Sequence, residues 1–483
     1  MVARRPQPLS QAAPIGVIGL WHLGSVTAAS LADAGNEVIG ADPDPAVIEA
    51  LSAGRAPVSE PGLGELLARH ALRLRFTCDY AQLAAVRSAW VTFDTPVDDD
   101  DNADVEWVLE QAVAALAPLP AGALVVVSSQ LPVGSVAALE ERCAQRRGER
   151  SLRFACVPEN LRLGRALECF RARDRIVAGV RDECDREELA ALLAPFSAEV
   201  QWMRVESAEM TKHALNGFLA TSVAFINQIA EICESVGADA EEVSRGLKSE
   251  QRIGPRAYLG PGDAFAGGTL ARDIGFLRGL ARHRGLPAQV FAGVADGNAA
   301  HKHWTRRKLL GLLTHDDAEH APGAPVQCSS AQASSAQGAG ERPALAGRCV
   351  AVWGLTYKPG TDTLRRSSAI ELCRWLLVAG ASVRAHDPAV SALPADLAGV
   401  VQLCASPLEA AAGADALVVC TAWPDYAQVP ADELVAALAR AQIIDPAGLL
   451  SGALATHPQV HYVRVGTPPE IRVRRSAEAG ARP

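Results

Sequence analysis

The 483-residue chain has no apolar run of the roughly 18 residues that a membrane-crossing helix requires, so no membrane partner is expected. It has no surplus of positive charge. Lys and Arg number 46 against 55 Asp and Glu, a net charge of -9, which argues against a nucleic-acid partner. None of its eleven cysteines forms a Cys-x-x-Cys pair. That excludes the usual thiol spacing of a zinc site or a disulfide framework and fits reduced thiols in a cytoplasmic protein. The opening MVARRPQPLSQAAP lacks the apolar stretch of a signal peptide and reads as an unstructured leader. No metal site is expected. The acidic run at 98–101 lacks the Gly and distant Glu of a calcium loop. The two histidines of HKH (301–303) have no further ligands beside them.

What is present is apolar, at 49%, and long enough for two or three domains. Apolar runs of strand length recur at 15–20, 37–42, 89–95, 123–129, 153–159 and 175–180, with helical segments between most of them. Such runs imply a parallel sheet covered on both faces, so residues 1–205 are expected to form one doubly wound α/β domain. From 206 the pattern turns helical. Leu215, Leu219, Ile226 and Ile229 predict one long helix to about 236, the start of a helical middle domain reaching 314. Residues 315–343 are rich in Ala, Ser, Gln, Gly and Pro and read as a flexible linker. Strand runs resume at 348–354, 382–388, 416–422 and 442–448, giving a second Rossmann-like domain over 344–470 before a tail at 471–483. Its LLVAGASVRAHDPAV echoes LADAGNEVIGADPDP of the first domain.

Four stretches carry candidate chemistry. In VIGLWHLGSVTAASLADAGNEVIGAD a strand ends at Gly19, Gly24 opens a helix and Asp42 closes the next strand. This is the layout of a dinucleotide-binding turn, with Trp21 where the middle glycine belongs; the alternative is a βαβ unit without a cofactor. Asp42 favours NAD over NADP, because a carboxylate repels a 2′-phosphate. Lys212 and Asn216 stand at i, i+4 on one helix face, either a polar pair for catalysis or ordinary surface residues. Glu159 follows a strand and a Pro, as a crevice carboxylate or a helix cap. GLTYKPGTDTLRRSSA (354–369) follows a strand and offers Lys358, Arg365 and Arg366 to a diphosphate, or simply to solvent. Between them, PGDAFAGGTLARD (261–273) reads as a glycine-rich loop that lets a backbone approach a ligand, with Thr269 its only hydroxyl and no Cys, Ser or His.

These stretches, together with VSEPGLGELL (58–67), LRFTCD (74–79), DTP (94–96), LPVGS (131–135), PENL (158–161), DRIVAG (174–179) and RIG (252–254), resemble the UDP-glucose/GDP-mannose dehydrogenase family over almost the whole chain and in the same order. The resemblance implies two Rossmann-like domains joined by a helical middle domain, NAD on the first, the nucleotide of a UDP-sugar on the second, and a homodimer through the long helix. It implies oxidation of the sugar C6 alcohol to the acid by two NAD molecules, through a thioester on a cysteine. Lys212, Asn216, Asp273 and Glu159 match the family's catalytic set. Gly19, Gly24, Asp42 and Thr95 match its cofactor site. Arg252, Tyr258, Gly267, Lys358 and Arg365 match its substrate site, with Arg252 reaching across the dimer.

The departures fall at the chemistry. Thr269 stands at the cysteine position, Gln130 at a threonine, Leu163 at a second glutamate and Trp21 at the middle glycine. A hydroxyl needs an adjacent base to act as a nucleophile. The expected function is therefore NAD-dependent oxidation of a UDP-glucose-like sugar at C6, to the aldehyde or the uronic acid. A catalytically silent nucleotide-sugar-binding protein or regulatory partner is the alternative that Trp21 and Thr269 together suggest.

Overall fold

The computed structural model describes residues 13–468, apart from 59, 99–102, 160, 163, 172–174, 198, 267 and 315–342. The expected leader up to residue 12, almost all of the linker, the tail, most of the acidic run and position 163 lie outside the described residues, as does Gly267. The chain divides into two compact units, Met1–Asn216 and Gly217–Pro483.

The first unit is an eight-stranded sheet. Its strands are β1 (Ile15–Ile18), β2 (Val38–Ala41), β3 (Leu74–Thr77), β4 (Ser88–Val91), β5 (Leu124–Val127), β6 (Arg153–Cys156), β7 (Ile176–Gly179) and β8 (Val200–Met203). They lie in the order β3-β2-β1-β4-β5-β6-β7-β8. Pairing is parallel except between β6 and β7, where Cys156 faces Gly179 in an antiparallel contact, so the expectation of a purely parallel sheet is corrected at that one junction. β1, β2, β4, β5 and β7 are buried at every residue. The two-residue period of a strand explains why each needs an unbroken apolar run: Leu124 and Val126 join one core, Val125 and Val127 the other. β3 and β8 escape a reading by apolar runs because they are edges, half-buried and interrupted by Arg75 and Gln201.

The first helix, His22–Asp33, begins two residues before Gly24, which lies inside its first turn rather than at its start. A Cβ on Gly24 would stand 1.7 Å from the Gly19 carbonyl oxygen. Only glycine permits that helix to close onto the end of β1.

The second unit starts within the long helix, Val205–Val236, whose 32 residues span about 48 Å at 1.5 Å each. Helices Ala240–Ser249, Thr269–His283, Gln289–His301 and Trp304–Thr314 follow. The glycine-rich stretch is therefore irregular only up to Gly268, which turns at φ 101°; Thr269 opens a helix and Asp273 lies one turn in, so 269–273 is not loop as expected. The second sheet contains β9 (Cys349–Trp353), β10 (Ser382–His386), β11 (Val401–Leu403), β12 (Ala416–Val419), β13 (Gln442–Ile444) and β14 (His461–Val463). All pairs are parallel, in the order β11-β10-β9-β12-β13-β14. The winding repeats that of the first sheet, as the sequence echo foretold. No helix among the described residues is long and apolar enough to cross a membrane.

Candidate active site

The first turn is built around Gly19. Its φ is 88°, and a Cβ there would meet Phe93 at 2.6 Å. Its amide donates to Ala41 O at 2.8 Å, and its carbonyl accepts from Thr92 Oγ1 at 2.7 Å. Asp42, 7% exposed just beyond β2, accepts from Leu20 N at 2.6 Å through Oδ2 and from Asp44 N at 2.9 Å through Oδ1. Burial raises its carboxyl pKa, while those two amides oppose the rise. A carboxylate has about four acceptor sites, so two donors leave room for a ribose hydroxyl. Gly19, Gly24 and Asp42 thus fit a dinucleotide. Trp21 has an ordinary φ of -68° and a half-exposed indole, so its ring points away from the core at the lip of the turn. Thr95 directs its hydroxyl to Gln130 O at 2.7 Å and so braces the neighbouring loop.

Beside this turn, Glu60 joins three segments. Its Oε2 meets His22 Nε2 at 3.0 Å and Gly164 N at 2.8 Å, and its Oε1 accepts from Ala166 N at 2.7 Å. The Ala166 amide is buried and would cost about 1–3 kcal/mol if left unpaired. Nothing in the spacing of SEPGL signals this role, because its partners are backbone amides a hundred residues away.

Past the ends of β5 and β6, a small cavity collects residues scattered in sequence. Ser128, Ser129 and Gln130 come from one strand end, Cys156 and Glu159 from the next, and Glu209 and Lys212 from the long helix. Lys212 is half-buried, and Asn216, one turn further, is 5% exposed, so neither is the free surface residue that spacing alone left open. Cys156 is a thiol that the motifs do not single out. Burial, then the charges of Glu209 and Glu206, pushes its pKa far up, so it stays a thiol and does not replace the missing nucleophile.

In the second unit, Asp273 is fully buried and Thr269 is exposed at the first position of its helix. Tyr357 lies near Gly268: its hydroxyl is 3.8 Å from where a Cβ on that glycine would stand. Burial and then the charge of Tyr258 raise the Tyr357 pKa, and Tyr258 is itself 59% exposed. Lys358 is half-buried and Arg365 exposed. Arg252 is exposed and pairs with Glu250 at 3.1 Å.

A cavity of about 50 Å³ lies past β9, β12 and β13, lined by Asp263, His301, Lys302, Arg306, Arg366 and Cys420 among others. The carboxyl ends of strands are where a doubly wound sheet takes its ligand. Arg366 adopts φ 61°, a backbone strain tolerated at few non-glycine residues. His301 is not an idle surface histidine: it is 5% exposed, with Nδ1 at 2.7 Å from Glu231 and Nε2 donating to Gly262 O at 2.9 Å. No group of three or more metal-ligating side chains occurs among the described residues. Asp387 repeats the position of Asp42, but its Oδ2 takes Leu355 N at 2.6 Å, Thr356 N and Trp423 Nε1 at 3.0 Å, and Thr356 Oγ1 at 3.1 Å. That one oxygen takes four protein donors, whereas each oxygen of Asp42 takes one.

Residues 13–197 match the UDP-glucose/GDP-mannose dehydrogenase family NAD binding domain, 206–300 its central domain and 351–452 its UDP binding domain. A UDP-glucose 6-dehydrogenase of Pseudomonas aeruginosa is 33% identical over 468 residues, covering 94% of this chain and 97% of that one. One from Haloferax volcanii is 32% identical, covering 86% and 92%. The solved UDP-glucose dehydrogenase of Pyrobaculum islandicum superposes with a TM-score of 0.77 at 28% identity, over 96% of this chain and all of that one.

The indole at the turn yields a prediction. The glycine that Trp21 replaces normally lets backbone approach a pyrophosphate. Trp21→Gly is expected to tighten NAD binding about tenfold, equivalent to roughly 1.4 kcal/mol, as the turn's backbone comes within reach of the phosphates. Calorimetric titration of both proteins with NAD checks this; equal or weaker binding by the variant would show that the indole is no obstacle.

Proposed function

The chain belongs to the UDP-glucose/GDP-mannose dehydrogenase family, and from that membership we propose that it oxidises the C6 alcohol of a UDP-sugar, with UDP-glucose the first candidate, in an NAD-dependent reaction. The observation that carries the reading is the cavity where Lys212, Glu159 and Gln130 converge. Polar groups from two strand ends and a helix meet there beside the NAD-binding turn's own sheet.

NAD, when bound along Gly19, Gly24 and Asp42, supplies the acceptor for the hydride that leaves C6. The protein's part is to hold the oxygen and move its proton. The Lys212 ammonium stabilises the oxyanion that develops as the hydride departs, and the Asn216 amide, on the same helix face, holds the hydroxyl or a water. Glu159 takes the hydroxyl proton, directly or through that water. Asp273 and Thr269 are proposed for the same chemistry, and Tyr258, Gly267, Lys358 and Arg365 for holding the nucleotide. Arg252, with its exposed side chain, acts in the partner subunit's site.

Thr269 decides how far the reaction runs. No thiol stands at its position, and the cavity's own thiol, Cys156, is held protonated. The first oxidation needs no nucleophile, so the aldehyde is the product these residues support best. Incubation with UDP-glucose and NAD, with an aldehyde trap, is expected to give one NADH per sugar and a trapped 6-aldehyde. Two NADH with uronic acid would overturn the arrest at the aldehyde but keep the dehydrogenase. Stoichiometric UDP-sugar binding with no NADH would favour the silent binding protein instead.

The homodimer is part of the proposal. Phe218, Phe225 and Ile232 recur every seven residues on the long helix and are 67%, 46% and 56% exposed, with Val236 at 70% one turn on. Single exposed apolar residues are ordinary, but a heptad stripe of them needs a partner helix. Phe225→Glu is expected to convert a dimer to a monomer in light scattering after gel filtration. A wild-type monomer, or a dimer untouched by the change, would refute the assignment.

A further inference from the structure

We propose that Glu209 is a positioning residue for this reaction: it locks the loop that carries Gln130 to the helix that carries Lys212. The proposal rests on the reading that Lys212 acts at the sugar C6.

The helix Ser135–Arg147 starts from Gly134, which turns at φ 96° and has no side chain with which to cap it. A helix start exposes amides that need acceptors. Glu209 supplies them from more than seventy residues away. Its Oε2 accepts from Gly134 N at 2.8 Å and its Oε1 from Val136 N at 2.9 Å, and the residue is 5% exposed. One helical turn on, His213 is 2% exposed and donates through Nε2 to Leu131 O at 2.8 Å. From the other side, Thr95 donates to Gln130 O. Three buried side chains therefore hold four backbone atoms of the segment 130–136.

Lys212 lies between two of these anchors in sequence. Residues 209 and 213 sit one turn apart on a helix face, and 212 neighbours 209 at i, i+3. The register that Glu209 and His213 impose fixes where the Lys212 side chain enters the cavity relative to Gln130, Ser128 and Ser129. Capping alone does not require this link, because a side chain at position 134 would cap the helix locally. Here the acceptor comes instead from the element that carries the lysine.

Glu209→Gln keeps the shape but turns an amide donor toward one of the two N–H groups; Glu209→Ala removes both acceptors. With UDP-glucose and NAD, kcat is expected to fall about tenfold in the first and about 10²-fold in the second, the scale of a misplaced catalytic group, while both KM values stay within a small factor. Asp104→Ala is the control. Asp104 caps the helix Val105–Leu116 through Trp107 N, outside this cavity, so its loss should lower the melting temperature without lowering kcat. Wild-type kcat in Glu209→Ala, or an equal fall in Asp104→Ala, would overturn the proposal. The rate at which an amine-reactive reagent labels Lys212, followed by peptide mass spectrometry, needs no turnover. If the wild-type protein is inactive on UDP-glucose, the functional reading fails separately. An altered labelling rate in Glu209→Gln then still supports the positioning, and an unchanged one overturns it.

Discussion

Both sheets depend on a carboxylate at the end of the second strand that clasps the turn after the first. In one unit Asp42 draws Leu20 N to 2.6 Å; in the other Asp387 draws Leu355 N to the same distance. Each clasp follows a glycine with positive φ whose amide bonds across to the neighbouring strand at 2.8 Å, Gly19 to Ala41 O and Gly354 to His386 O. A side chain on either glycine would strike the next strand's turn, at Phe93 or Thr421. Buried carboxylates hydrogen-bonded to amides hold a backbone bend that apolar packing alone would not fix. The bend opens the crevice at the carboxyl ends of the strands, and the rest of each site is arranged around it.

The two clasps are not equivalent. Asp42 spends two of its acceptor positions on amides and keeps the others at the lip of the turn. Asp387 takes four donors on one oxygen, including the Trp423 indole, and a fifth on the other from Ala389 N. A turn with spare acceptors suits the ribose of a dinucleotide.

The buried strands were legible because their apolar runs are continuous, and the long helix because Leu215, Leu219, Ile226 and Ile229 keep a helical period. The edge strands were not: Arg75, Gln201 and Gln402 break the runs, since an edge needs only one buried face. In the site, Lys212 and Asn216 were visible as an i, i+4 pair and the resemblance supplied their chemistry. Their setting was invisible. Gln130, Cys156 and Glu159 reach one cavity only because successive strands end at one edge of the sheet. Glu60 and Glu209 work through backbone amides, which carry no residue signature. The helix beginning at Thr269 was hidden by the glycines before it, which read as loop, whereas Gly268 makes the turn into a helix.

The central claim is that one chain carries two separate nucleotide sites, NAD on the sheet clasped by Asp42 and a UDP-sugar on the sheet clasped by Asp387. Calorimetric titration of the purified protein with NAD, and with UDP in the presence of saturating NAD, tests it most directly. The account predicts one NAD and one UDP per chain, neither displacing the other. Competition between the two, or binding of only one of them, would contradict it.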